Sequence, residues 1–111
     1  MLGDGRTASA QLLLDGQTAT LGKSADGMPC PGTKEGLDQL ISAMSKNDRY
    51  GMAQAMMDSK GVFLKRGWRV RAIGHKGWLG ETIQLRIESG PEAGRACWEP
   101  SDIKGFFVNV R

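Results

Sequence analysis

The sequence predicts a mainly β fold of the α+β class: a small five-stranded barrel preceded by a hairpin of two short helices. Residues 61–100 alternate apolar and polar side chains and are interrupted by Gly-containing turns, which is typical of several short strands. The chain also has 16 glycines in 111 residues, a surplus that favours many tight turns. Apolar residues at helical spacing predict the two helices at about residues 33–60.

The composition is typical of one globular domain. Apolar residues make up 40% of the chain and charged residues 24%, which argues against both a disordered and a membrane-embedded protein. We expect residues 1–9 to form a flexible tail and residues 10–111 to form a single domain. The formal net charge of +3 favours anionic partners only mildly. No run of eighteen apolar residues predicts a membrane span.

The two cysteines leave two alternatives open. Cys30 and Cys97 belong to no zinc-ligand pattern, and no cofactor is expected. In an oxidising compartment they would form a disulfide, which the chain-entropy model values at about 4 kcal/mol. Otherwise they would be small buried hydrophobic residues. The N-terminus lacks the regions of an intact signal peptide, which predicts a cytoplasmic protein, or a secreted or periplasmic one whose signal has been removed.

The first half of the chain predicts a β-hairpin, a loop and the two helices. The dipeptide Asp15-Gly16 favours a type I′ turn within a hairpin over residues 11–21. Thr33 and Asp48 are predicted N-caps, and Gly61 a left-handed C-terminal residue. The apolar faces, which we expect to pack as core, are Leu37, Leu40, Ile41 and Met44 on the first helix and Met52, Ala53, Met56 and Met57 on the second. A methionine-rich stripe is also typical of an adaptable partner-binding surface.

The second half predicts the strands and their buried face. Alternation assigns the core to Val70, Ile83, Leu85 and Ile87. We expect Trp68 and Trp98 to be core residues as well, and residues 74–77 to form a turn. The final run, FFVNV, is expected to close the sheet or to pair with the N-terminal hairpin. Its free edge predicts a homodimer.

Three segments resemble a known group of proteins. VFLKRGWRVRAI and ETIQLRIESGPEAGRACWEPSDI resemble bacterial SH3-like barrel domains, with a basic strand, a variable loop, an alternating strand and a Gly turn followed by a W-x-P segment. PCPGTKEGLDQLISAMSKNDRYGMAQAMMDSKG is similar to the Cys-containing loop and helical hairpin that precede the barrel in a group of small bacterial proteins without an agreed activity. The resemblance covers about residues 28–104 and implies an SH3-like barrel. It leaves function open, because such barrels bind peptides, cell-wall fragments or nucleic acids.

One local charge asymmetry predicts a binding surface. Six Lys or Arg and no acid lie between Lys60 and Lys76, with tryptophans interleaved, a mixture suited to an acidic peptide or to single-stranded nucleic acid. The predicted partner-binding residues are Arg69, Arg71, His75, Lys76, Trp78 and Arg86. The alternative interpretation is an ordinary solvated face that Glu81, Glu88 and Glu92 neutralise.

No catalytic constellation is recognisable. His75 is the sole histidine and has neither an acid nor a serine nearby in sequence, which predicts an exposed loop residue. Metal-ligand and phosphate-loop spacings are also missing from the sequence. We therefore expect a non-enzymatic binding module for a peptide or protein partner. The alternatives are nucleic-acid binding through the same surface and a cell-wall-associated accessory domain.

Overall fold

The computed structural model describes residues 13–111, so the flexible tail predicted for residues 1–9 lies outside the described residues. The described part contains two helices and seven short strands. In chain order they are β1 (Thr18–Leu21), β2 (Pro29–Cys30), α1 (Lys34–Ser45), α2 (Arg49–Ser59), β3 (Val62–Phe63), β4 (Arg69–Lys76), β5 (Thr82–Ile87), β6 (Ala96–Pro100) and β7 (Phe107–Val108).

The α+β class is confirmed, but the closed barrel is wrong. Five strands form an antiparallel sheet in the order β6-β5-β4-β1-β7, and β2 pairs with β3 in a separate two-stranded sheet. Closure would require β6 to pair with β7. Instead the backbone N–H of Trp98 in β6 donates to the carbonyl of Pro31 at 2.7 Å, so the segment after β2 lies along that edge. The five-stranded sheet therefore stays open.

A disulfide holds this covering segment in place. Cys30 in β2 and Cys97 in β6 are bonded, 67 residues apart in sequence, and both are fully buried. The bond ties the small sheet to the edge of the large one. Of the two alternatives that the sequence left open, the structure has the bonded pair.

The hairpin predicted over residues 11–21 lies partly outside the described residues, while the predicted turn at Asp15-Gly16 is present, with the backbone N–H of Gln17 donating to the carbonyl of Leu14 at 2.9 Å. One edge of β1 pairs with β4, where Thr18 lies opposite Arg71, and the other pairs with β7, where Thr20 lies opposite Val108. Both edges of β1 are occupied, so Leu13 and Leu14, the described residues before the turn, do not pair with it as the first strand of a hairpin would. The final run pairs with this N-terminal strand, which is one of the two arrangements expected for it.

The two helices begin where predicted but bury less than predicted. Thr33 Oγ1 accepts a hydrogen bond from the backbone N–H of Gly36, and Asp48 Oδ1 accepts one from Gly51, each at 2.9 Å, which confirms both N-caps. Lys60, at φ 55°, takes the left-handed position predicted for Gly61. Four residues predicted as apolar core are exposed: Ile41, Met44, Ala53 and Met57. For Ala53 and Met57 the reason is that α1 packs on β6 and α2 packs on α1, so no described element covers the far side of α2.

The core prediction for the sheet is confirmed. Val70, Ile83, Leu85 and Ile87 are fully buried on one face, which we call the inner face. Trp68 is half-buried against this core. Trp98 is buried as predicted, but it lies on the opposite, outer face of β6, since its neighbour Cys97 points inward beside Leu85.

A β-bulge changes which side chains of β4 face inward. Arg71 lies opposite Arg86 on the outer face, and the register then shifts between Ala72 and Gly74. Simple alternation from Arg71 would put His75 on the outer face as well. Because the bulge inserts one residue, His75 lies opposite Ile83 on the inner face. The turn predicted for residues 74–77 is therefore wrong, because β4 continues to Lys76 and the chain reverses at residues 77–80.

Candidate partner-binding site

The predicted site residues lie in two places. Arg69, Arg71 and Arg86 share the outer face in the middle of the sheet, whereas His75, Lys76 and Trp78 lie at the end of the β4–β5 hairpin. Arg71 and Lys76 are five residues apart along β4, about 16 Å at about 3.3 Å per residue. The structure brings the three arginines together on the outer face, but it places the neighbours His75 and Lys76 on opposite faces of β4.

The arginine face is organised by one acid. Arg71 lies directly opposite Arg86, and like charges in that position repel. Glu88 Oε2 accepts hydrogen bonds from Arg86 Nη2 at 2.7 Å and from Arg71 Nε at 3.3 Å. The hydrogen bond from Arg86, and then that from Arg71, hold the pKa of Glu88 below its ordinary value. The carboxylate is therefore charged at neutral pH and offsets part of the repulsion.

Neutralisation of this face is incomplete. Of the three acids expected to neutralise it, Glu88 contacts the arginines, while Glu92 pairs with Arg95 and Glu81 binds the backbone N–H of Leu79. Arg69 adds a further cation on the same face beside a shallow depression of about 180 Å³. The outer face keeps an excess of positive charge.

The tip of the β4–β5 hairpin presents an apolar surface to solvent. Trp78 is 96% exposed and Leu79 is 84% exposed. Leu14, which lies near Leu79, is 63% exposed. The tip has a defined shape, because Gly77 takes φ +97° and a Cβ there would overlap the carboxylate of Glu81. That carboxylate accepts a hydrogen bond from the backbone N–H of Leu79 at 3.0 Å. Large apolar side chains held outward on a defined turn are typical of an interaction site.

A cleft of about 450 Å³ lies beside this tip. The described residues that line it are Leu13, Leu14, His75, Leu79, Gly80, Glu81, Ser101 and Asp102. We call this cleft, together with Trp78 on the tip, the hairpin-end surface. Its lining combines leucine side chains with carboxylates, which suits recognition of a ligand that is partly apolar and partly polar.

His75 has an acidic partner that sequence proximity did not show. Its Nδ1 lies 2.6 Å from Asp15 Oδ1, although the two residues are 60 positions apart. The side chain of His75 is half-buried in the cleft and is not the freely exposed loop residue that the sequence predicted. The pairing depends on the bulge in β4 and on the place of β1 in the sheet, and no local pattern signals either.

Lys76 faces away from this cleft. Its position on β4 is on the outer face, and its ammonium lies 5.9 Å from the centre of the Trp98 ring, within the range of a cation–π contact. It therefore lies on the opposite face of β4 from His75.

Glu99 is a buried acid that the sequence prediction missed. It lies in one row with His75 and Ile83 across β4, β5 and β6, about 10 Å from His75 at about 4.8 Å per strand. The residue is 1% exposed, and its Oε2 has no hydrogen-bond partner in the described structure. Burial raises its pKa to about 8, so the carboxyl is protonated at neutral pH. Alternation from Cys97 was a signal that could have placed this acid inward.

The hydroxyl group in the lining of the cleft belongs to Ser101. The Ser101 hydroxyl donates to the carbonyl of Gly80 at 2.7 Å, so its proton is directed at the backbone and not at His75.

Within residues 13–111, no group of three His, Cys, Asp or Glu side chains is placed to hold a metal ion. No helix of that same part is long and apolar enough to cross a membrane. Comparisons with protein-family models, with curated proteins and with solved structures found no match.

Proposed function

We propose that this protein is a non-enzymatic binding module that recognises a peptide or protein partner through the hairpin-end surface. The observation that carries the proposal is the almost complete exposure of Trp78 beside Leu79 on a turn of defined shape. Tryptophan is among the residues that most often dominate the energy of an interface, because it buries a large area at a small cost in side-chain entropy.

The hydrogen bond of Ser101 supports the non-enzymatic part of the proposal. A nucleophilic serine has to share its proton with a base, and the base in this cleft is His75. Here the serine hydroxyl donates to Gly80 instead, so the cleft holds a histidine and carboxylates without an activated nucleophile beside them. These groups are suited to orienting a bound polar group.

Replacing Trp78 by alanine is expected to abolish capture of the partner without unfolding the protein. Because the side chain is exposed, its removal should change the free energy of unfolding by no more than about 0.5 kcal/mol. Tyr50→Ala is the matched control, since it removes another exposed aromatic ring, from α2. Pull-downs with the three proteins, quantified by mass spectrometry, measure the effect. Equal capture by the Trp78→Ala variant would overturn the site.

A second candidate function is nucleic-acid binding through the arginine face. The specific observation is that Arg69, Arg71 and Arg86 share one face. Among the described residues, Glu88 is the acid that forms salt bridges with Arg71 and Arg86 there. That excess of cations suits a phosphate backbone. The absence of Trp78 from this face removes the stacking platform that the sequence suggested, so base stacking is not part of this second proposal.

Salt dependence distinguishes this second candidate. A titration with a fluorescent single-stranded DNA oligonucleotide should show an affinity that falls steeply as salt is raised, because bound arginines release counterions. Arg69→Gln should weaken binding and flatten the slope, whereas Lys34→Gln, which removes a cation from α1, should change neither. Binding that does not respond to salt would exclude phosphate recognition by this face.

Two further hypotheses remain predictions. A cell-wall-associated accessory role and a homodimer have no specific contact in their favour. For the dimer, the relevant feature is that β7 is an edge strand of the open sheet. Light scattering at high concentration would test it, and a mass of one chain would contradict it.

A further inference from the structure

We propose that the cleft of the hairpin-end surface receives a lysine or arginine side chain of the partner, next to an apolar residue that packs on Trp78. The inference rests on the proposed function and names the chemistry that the partner presents.

The charge of the cleft is opposite to that of the chain as a whole. The chain carries a formal net charge of +3, but the described lining of the cleft includes Glu81 and Asp102 and contains no Lys or Arg. Asp15 adds a third carboxylate through its contact with His75. Even with a protonated His75, three carboxylates against one imidazolium leave a local charge of −2. A cation is therefore the charged group that this cleft attracts.

The walls of the cleft fit the stem of such a cation. Leu13 is buried at its base, and Leu14 and Leu79 expose their side chains along it. Lysine and arginine carry three or four methylenes below the charged group and lay them along apolar surface while the charge stays near water or an acid. The leucines would contact the methylenes, and Glu81 and Asp102 would face the charged end. A cleft of about 450 Å³ is within the range of ligand clefts.

The surface around the cleft favours a peptide over a metal ion or a nucleic acid. The described residues provide no cluster of three ligands for a metal ion. Carboxylates on the rim repel phosphate groups, which disfavours nucleic acid at this end of the sheet. Trp78 projects beyond the cleft and offers a flat apolar surface for a neighbouring side chain of the same ligand. The structure thus fits a segment in which a basic residue adjoins a large apolar one.

The test uses two short peptides and the full chain. One is an acetylated, amidated pentapeptide with an arginine between two leucines, and the other carries glutamine in place of the arginine. We expect the arginine peptide to shift the backbone amide signals of residues 77–81 and 101–102 in ¹H–¹⁵N spectra. We expect the glutamine peptide to bind up to about fivefold more weakly, since an exposed ion pair contributes at most about 1 kcal/mol.

Three variants assign the effect to the cleft. Glu81→Gln keeps an oxygen for the backbone N–H of Leu79 but removes the charge, and Asp102→Asn removes the second charge. Each should weaken binding of the arginine peptide by about twofold to fivefold and leave the glutamine peptide unaffected. Glu92→Gln, which removes an acid on the β5–β6 turn, should have no effect on either peptide.

The outcomes separate this inference from the proposed function. Equal binding of the two peptides at the hairpin end would overturn the cation site and leave the Trp78 surface standing. No binding of either peptide at millimolar concentration would also overturn the cation site, while the Trp78→Ala pull-down decides the proposed function independently. Arginine-dependent binding that shifts signals of the outer face instead would place the site elsewhere and overturn the inference.

Discussion

Replacing Glu99 by glutamine is expected to make the protein more stable at high pH. Between about pH 4.5 and about pH 8 the free energy of unfolding of the unaltered chain should fall, and the variant should lack this fall. The carboxyl is buried, and burial raises its pKa from the ordinary 4.5 to about 8. Within that range the native state keeps this proton, whereas the unfolded state releases it. Since the native state binds more protons, the contribution to the free energy of unfolding is fully present below pH 4.5 and is lost as the pH rises through 8.

The expected effect is large for a domain of this size. The difference between the two pKa values corresponds to at most about 5 kcal/mol, at about 1.4 kcal/mol per pH unit. A single domain is stable by only about 5–15 kcal/mol. Glutamine has nearly the same shape and does not ionise, so the variant should match the unaltered chain near about pH 5 and exceed it by several kcal/mol near about pH 9. Urea unfolding at both pH values measures the two free energies.

An exposed acid provides the control for this experiment. Glu92 is paired with Arg95 on the β5–β6 turn, and Glu92→Gln should leave the pH profile parallel to that of the unaltered chain. If the Glu99→Gln profile also ran parallel over the whole range, the carboxyl would ionise in the folded protein as it does in water. That result would contradict its burial without a partner.

Replacing both cysteines by alanine is expected to lower the free energy of unfolding by about 4 kcal/mol, which the chain-entropy model gives for a closed loop of this length. The bond joins Cys30 to Cys97 across 67 residues, so the unfolded chain loses much conformational freedom when it is present. A loss of that size would lower the melting temperature by about 15–30 °C in a domain of about 100 residues. Calorimetry of the unaltered chain and the double variant measures the change.

The structure also predicts which strands become less stable first when the disulfide is removed. The disulfide holds β2 along β6, and the Trp98 N–H bonds to Pro31 at that edge. Amide hydrogen exchange should accelerate in β2, β3 and β6 before it does in the central strands β4 and β5. Treatment of the unaltered chain with a phosphine reductant should reproduce the pattern. An unchanged melting temperature in the double variant would mean that the bond contributes nothing to the free energy of unfolding.

The parts of the fold that depend on neighbours in sequence were predictable. Thr33 and Asp48 cap their helices because the group each one binds lies three residues further along the chain. The alternation of Ile83, Leu85 and Ile87 identified a buried face, since strand geometry by itself sends alternate side chains to one side. The exposure of Trp78 also agrees with its place in a Gly-flanked turn.

The candidate site was predictable only in part. The six predicted residues do not form one surface: the arginines and Lys76 lie on the outer face, and Trp78 lies at the hairpin end. His75 lies on the inner face, because the bulge after Ala72 reverses the alternation within β4. The residues of β4 alone do not predict the bulge, because it depends on how β4 pairs with its partner strand. Asp15, Glu81 and Asp102 reach the cleft from three separate segments, so the acidic character of the cleft is invisible in a basic stretch of sequence.

By itself the sequence determined the α+β class, the two capped helices, the buried face of the sheet and an exposed tryptophan, because each of these follows from interactions over one to four residues. The tertiary structure decided the open sheet, the bonded cysteines, the inward turn of His75 and the burial of Glu99. Each of these depends on which strand edges meet and which loops cover them. Such contacts join residues far apart in sequence, as between Thr18 and Arg111 near the two ends of the described chain, and their free energies are set by packing that no local pattern encodes.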